Sequence, residues 1–201
     1  MRNLITIAFT IGLFVLMISA SADSDNKSPE FAVKKLLGEI KQIVKKDSLS
    51  DVEQSENKKH SDIALSVLKV SEISQKALGK YWSKHSAEQQ NQFQTLLGDL
   101  FVHVAFPSSA KFFANLDIVY GKPKNKKDMM VVPLTVVHEK EGEVGIDFRM
   151  KQSAEVWQVV DVILDGVSMR NNLRSQFYKI LKKNEFKELV QRMEKKLKEK
   201  D

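Results

Sequence analysis

The side chains best equipped for chemistry lie together in Asp161–Phe177, DVILDGVSMRNNLRSQF, where Asp161, Asp165, Ser168, Arg170 and Arg174 surround Gly166. Such a set offers three kinds of chemistry: two carboxylates sharing a proton, a serine nucleophile, or an arginine-lined anion site. The spacing argues against the first two. An extended strand separates Asp161 from Asp165 by ~13 Å, so they share a face but not a proton. Ser168 lacks the G-x-S-x-G elbow that presents a hydrolase nucleophile. The four histidines, His60, His85, His103 and His138, never recur four apart, and no cysteine exists to complete a metal site. A phosphate-binding glycine loop is also missing. The sequence therefore predicts no catalytic residue, no metal and no enzyme.

The same residues read well as a joint between a strand and a helix. Gly166 lets the backbone turn sharply after Asp165. Ser168 is suited to cap the helix that follows, its oxygen accepting from a free backbone N–H. Arg170 and Arg174, four apart, project from one side of that helix. Two roles stay open for them: pairing with Asp161 or Asp165, or forming a basic rim around an opening.

The elements that position this joint follow from composition and period. The chain has 201 residues, 42% of them hydrophobic, enough for one folded domain. Its first residues, MRNLITIAFTIGLFVLMISASA, read as a secretory leader: Arg2, then an apolar run from Leu4 to Ile18, then Ala20-Ser21-Ala22 as a cleavage site. The expectation is a cleaved leader over 1–22 and a single exported domain over 23–201. With no cysteine it carries neither disulfides nor a lipid anchor on a thiol and must rest on its own core. The net charge of +6 falls by one to +5 when Arg2 leaves. The excess gathers in GKPKNKKD (Gly121–Asp128) and in the tail, without the interleaved aromatics that stacking on bases requires, so no nucleic-acid partner is expected.

Helices come first, then strands, then helices, which predicts an α+β fold with helices on an antiparallel sheet. Ser28-Pro29 opens a helix whose apolar residues run from Val33 to Val44. DSLSDVEQSENKKHSD contains a loop and an exposed helix without legible bounds. SEISQKAL is a short helix closed by Gly79, and Ser86 with Gln89 forms a capping box for the next. That helix has an apolar face of Phe93, Leu96, Leu97, Leu100, Phe101 and Val104, and Pro107 is expected to end or kink it.

Four strands are expected from LDIVYG, MMVVPLTVVHE, EVGIDFRMK and VWQVVDVIL, with turns at KEGE and QSAE. Pro133 suggests an edge or bulge. Val144, Ile146, Phe148 and Met150 share one face. The last strand, with Val160, Val162 and Leu164, should be central and covered on both sides. Helices over about Met169–Lys182 and Glu185–Lys198 finish the chain.

The segments LGKYWSKHSAEQQNQFQTLLGDLF, VWQVVDVILDGVSM and NNLRSQFYKIL, in this order, resemble the MlaC-type family of periplasmic phospholipid-binding proteins, also called the toluene-tolerance auxiliary component. The likeness runs from about Pro29 to Leu197. It implies a monomeric periplasmic carrier that needs no cofactor and holds phospholipid as cargo in an apolar cavity between sheet and helices. Family members pass lipid between an outer-membrane lipoprotein complex and the MCE-type component of an inner-membrane ABC transporter. On this reading the two apolar faces above line the cavity, joined by Val160, Val162, Leu164, Val167, Met169 and Phe177. Arg149, Arg170 and Arg174 are the expected head-group or docking rim. The same fold with a filled core would instead be a lipid-free periplasmic interaction module of a membrane-protein complex.

Overall fold

The structure, a computed structural model, describes residues 27–46, 48–138 and 142–199. The expected leader and its cleavage site lie outside these residues.

Helix α1 (Pro29–Gln42) starts where the sequence places it, with Ser28 Oγ accepting from Phe31 N at 3.0 Å. Its Val33, Leu36, Leu37 and Ile40 are buried. The polar stretch contains α2 (Asp51–Ser66), opened by a capping box between Ser50 and Glu53. Only Ser61 and Ala64 of it are buried, so no apolar stripe marked it in the sequence. It is held to α1 partly by His60 Nδ1, 2.7 Å from Glu39 Oε2. Helix α3 (Val70–Leu78) stops at Gly79, whose φ of 49° few other residues adopt, and a 3-10 turn over Gly79–Lys84 follows.

Helix α4 (Ala87–Leu100) carries the predicted Ser86–Gln89 capping box. Of the two outcomes expected at Pro107, an end to the helix is not what occurs. The chain passes through a π-helical stretch, Phe101–Ala105, into α5 (Phe106–Phe113). Phe106 N–H bonds to Phe101 O, five residues back. Widening the turn just ahead of Pro107 makes room for its ring against the carbonyl of the preceding turn.

The sheet is antiparallel and has six strands, not four, in the order β1-β3-β4-β5-β6 with β2 also on β3. The four expected strands are β1 (Ile118–Tyr120), β3 (Met129–His138), β4 (Gly142–Ser153) and β5 (Val156–Leu164). The additions are short: β2 (Lys124–Lys126), inside the lysine-rich segment, and β6 (Val167–Ser168), inside the joint. Neither is long enough to show an alternating pattern. β3 is not an edge strand, since β1 and β2 share one of its sides and β4 takes the other. Pro133 falls at the gap between β1 and β2. Its carbonyl accepts from Gly121 N at 2.8 Å, so its missing N–H, on the same side of the strand, interrupts the ladder where the partner strands change. β4, rather than β5, has long neighbours on both sides. Among the described residues β5 pairs with β4 and, on its far side, only with β6 and the Leu68 bridge. The QSAE turn is a two-residue hairpin with Ala154 and Glu155 at positive φ; Lys140 and Glu141 of KEGE lie outside the described residues.

Helices α6 (Met169–Leu181) and α7 (Phe186–Lys198) complete the chain close to their predicted bounds. One apolar core joins the sheet face of Val132, Leu134, Val136, Val144, Ile146, Phe148 and Met150 to α1, α4, α5, α6 and α7. Each fully buried Leu or Phe there contributes about 1.5–3 kcal/mol.

Candidate functional site

Two regions compete for the site, one polar and one apolar. The polar one is the joint. Asp165 and Gly166 have φ of 47° and 78°, so β5 and β6 form a tight two-residue hairpin, the geometry that an Asp-Gly pair favours. This hairpin turns the chain back and delivers Ser168 beside Asp161. The carboxylate of Asp161 is wholly shielded from solvent. Ser168 Oγ donates to Oδ2 at 2.7 Å and the backbone N–H of Arg170 donates to Oδ1 at 3.1 Å. Arg149 Nη1 and Arg170 Nη2 each stand 3.6 Å from Oδ2. Ser168 Oγ also accepts from Asn171 N at 3.1 Å, which makes it the predicted cap of α6.

Asp161 therefore anchors the start of α6 by accepting from the backbone N–H of Arg170 and pairing with two guanidinium groups. Asp161 as a whole is buried, at 3% exposure. None of the hydrogen bonds at Asp161 or Ser168 involves a histidine. Among the described residues no cluster of His, Cys, Asp and Glu could hold a metal. An open groove of about 540 Å³ lies outside the joint, lined by Arg149, Ile163, Val167, Ser168 and the polar side chains of Asn171, Asn172 and Ser175.

Arg174 stands apart from this cluster. Its Nε donates to Lys76 O at 2.7 Å, tying α6 to the end of α3. Nearby the Tyr178 hydroxyl accepts from Lys80 N at 2.9 Å, and a side chain at Gly79 would overlap that hydroxyl. The LGKYW and RSQFY segments thus meet in space, a contact between Gly79 and Tyr178 that no spacing in the sequence announces.

The apolar region is the interior between sheet and helices. Phe93, Leu97, Val144, Ile146, Phe148, Met150 and Phe177 are buried members of the core. Phe93 and Phe177 meet edge to face with ring centroids 5.3 Å apart. Leu96, Leu100, Phe101, Val104, Val162, Leu164 and Met169 are only half-buried. Register places Val162 opposite Phe148 and Leu164 opposite Ile146, so both belong to the inner face. Val160 is wholly buried but outside that core, at the bulge where Arg149 faces Asp161 and Met150 faces Val159. Val167 is 54% exposed.

Val102, Leu116, Ile118 and Leu173 are further half-buried residues packed on the same core. Val102 escaped the sequence reading because the π-helical stretch turns the helix face away from a regular 3.6 period. Leu116 and Ile118 lie in and beside a strand too short to show alternation.

The fold and this interior define a class: an α+β domain whose helices cover one face of an antiparallel sheet, with half-buried apolar residues around the core between them. The chain belongs to the MlaC family, whose model, described as MlaC protein, matches residues 34–195. Among solved structures it is similar to a phospholipid-binding protein from Ralstonia solanacearum, determined in complex with a phospholipid. The TM-score is 0.66 at 23% identity, over 84% of this chain and 93% of that one. A search of curated proteins gave no significant match.

Proposed function

We propose that the protein is a periplasmic phospholipid carrier, moving lipid between the outer membrane and an inner-membrane ABC transporter and so maintaining outer-membrane lipid asymmetry. On this reading 1–22 is the cleaved leader and 23–201 acts as one monomeric domain. Its protein partners are an outer-membrane lipoprotein complex and the transporter's MCE-type component.

One observation carries the reading: Leu96, Leu100 and Phe101 on the helical layer, and Val162 and Leu164 on the sheet, are half-buried apolar residues against one core. Apolar side chains left short of full burial on both layers are suited to acyl chains entering between them. Family membership and the phospholipid held by the Ralstonia protein support the same cargo. Two acyl chains with ~30 methylenes gain roughly 24 kcal/mol on leaving water, and a bilayer offers nearly the same. The carrier is therefore close to balance with the membrane, which keeps loading and release reversible. The head group stays at the mouth, because burying a phosphate needs dedicated partners and Arg149 and Arg170 already share Asp161.

Solvent extraction and mass spectrometry of the purified protein, exported with its leader, tests this. Phospholipid at a fixed molar ratio is expected. Lipid-free protein after mild purification would overturn the carrier and leave the interaction module.

A further inference from the structure

The lysines of Gly121–Asp128 are the strongest charged feature that neither the core nor the joint uses. Lys122, Lys124, Lys126 and Lys127 are all exposed. Among the described residues none of the four is in an ion pair, whereas the neighbouring acid, Asp128, already has Lys151 Nζ at 3.5 Å. Strand β2 holds two of these four, Lys124 and Lys126, beside β3, with Lys126 opposite Met129, so the Lys127–Asp128 turn projects from the end of the sheet where β3 begins. β4 ends and β5 begins at that same end, at the Ala154–Glu155 turn.

Around this second turn lies a hollow of about 310 Å³, lined by Lys27, Phe31, Lys35, Val156 and Trp157 among others. Phe31 is 38% exposed and Val156 57%. Glu155 is matched by Lys27 Nζ at 3.5 Å. Uncompensated lysines and exposed apolar side chains thus share one end of the molecule.

We propose that this end, formed by the β2–β3 turn, the β4–β5 turn and the start of α1, docks on the surface of an anionic bilayer. Lysines near such a surface are drawn to lipid phosphates while an exposed Phe and Val enter the interface, the pairing of charge and apolar area that interfacial binding requires. Nucleic acid is a poorer match, because Phe31 stands on α1 rather than among the hairpin lysines as a stacking platform would. The use of this surface, presenting the carrier to its lipid source, rests on the function proposed above; the docking itself does not.

Sedimentation with vesicles tests it, using the full purified protein on phosphatidylcholine–phosphatidylglycerol vesicles and on pure phosphatidylcholine. The protein is expected on the phosphatidylglycerol vesicles at low salt and to be released by added salt. The K122Q/K124Q/K126Q/K127Q variant should partition at least roughly tenfold less, and F31S/V156S severalfold less. Both should keep the unfolding midpoint and bound phospholipid of the parent. No preference of the parent for phosphatidylglycerol, as for a surface that meets an acidic protein instead, would overturn the proposal. So would unchanged binding of the lysine variant, or loss of binding on neutralising Lys182, Lys183 and Lys187 instead. Vesicle binding by a parent that carries no extractable lipid would refute the carrier and leave the docking surface standing.

Discussion

The joint and the inner lining are built on opposite terms. At Asp161 charge is taken out of water and every oxygen is answered, by a hydroxyl, a backbone N–H and two guanidinium groups. On the inner face the apolar residues begin as a close-packed core around Phe93 and Phe148 and end half-buried at Leu96, Leu100, Phe101, Val162 and Leu164. The polar cluster, which a search for chemistry picks out first, spends its one carboxylate on holding the joint together, although Arg170 Nε is buried without a hydrogen-bond partner. The apolar face is the unfinished one. Function is better sought where burial stops short than where reactive side chains gather.

Breaking the closed side should have the largest effect. Asp161→Ala leaves Arg170, 14% exposed, and Arg149, 27% exposed, without their shared carboxylate, and removes a hydrogen-bond partner of the Ser168 cap. Removing one partner of a buried ion cluster costs about 3–5 kcal/mol. Urea unfolding followed by circular dichroism should show that loss. Folded Asp161→Ala protein should still carry phospholipid, since the joint does not line the interior; lipid lost from a variant that remains folded would make the joint part of the binding site.

The inner face supplies the next contrast, between two residues seven apart around α4. Phe93 is fully buried and Leu100 only half-buried. Phe93→Ala should cost about 3–5 kcal/mol through the cavity it leaves. Leu100→Ala should cost nearer 1 kcal/mol and yet lower the phospholipid recovered per mole of protein more than Phe93→Ala does. Equal lipid recovery from both, in preparations of equal folded fraction, would mean that partial burial does not mark the lining.

These contrasts also explain how far the sequence could be read. Helix starts were legible because capping is local: Ser28, Ser86 and Ser168 cap within three residues of themselves. Strands with sustained alternation, such as Val144 to Met150, were legible for the same reason. α2 lacked an apolar stripe because it buries only Ser61 and Ala64, and its start, the equally local Ser50–Glu53 capping box, was a signal left unused. β2 and β6 were not legible, being three and two residues long. Asp165-Gly166 did carry a recognised hairpin signal; reading it only as a sharp exit missed β6 and hence the return of Ser168 to Asp161. The lining residues could be placed on a face but not graded by depth. Depth depends on where helices come to rest, and the π-helical turn at Phe101–Ala105 shifts that in a way no regular period conveys.

A milder effect tests the interior from its far side, where α7 closes over the turn before α4. The His85 ring packs on Phe186 with centroids 4.4 Å apart, and its Nε2 is buried with no hydrogen-bond partner. Burial holds its pKa below the ordinary 6.5, opposed by a hydrogen bond with Gln89 and assisted by the charge of Lys84. The unfolded chain therefore binds this proton more readily than the native one. Stability is full above the unfolded value near 6.5 and falls as pH drops through the native value. Unfolding midpoints measured at successive pH values should decline over that window in the parent, and less steeply in His85→Leu, which keeps the apolar contact with Phe186. Parallel curves would place the acid sensitivity elsewhere. A decline accompanied by release of phospholipid would show that the packing of α7 on His85 and the half-buried inner face are coupled through the core between them.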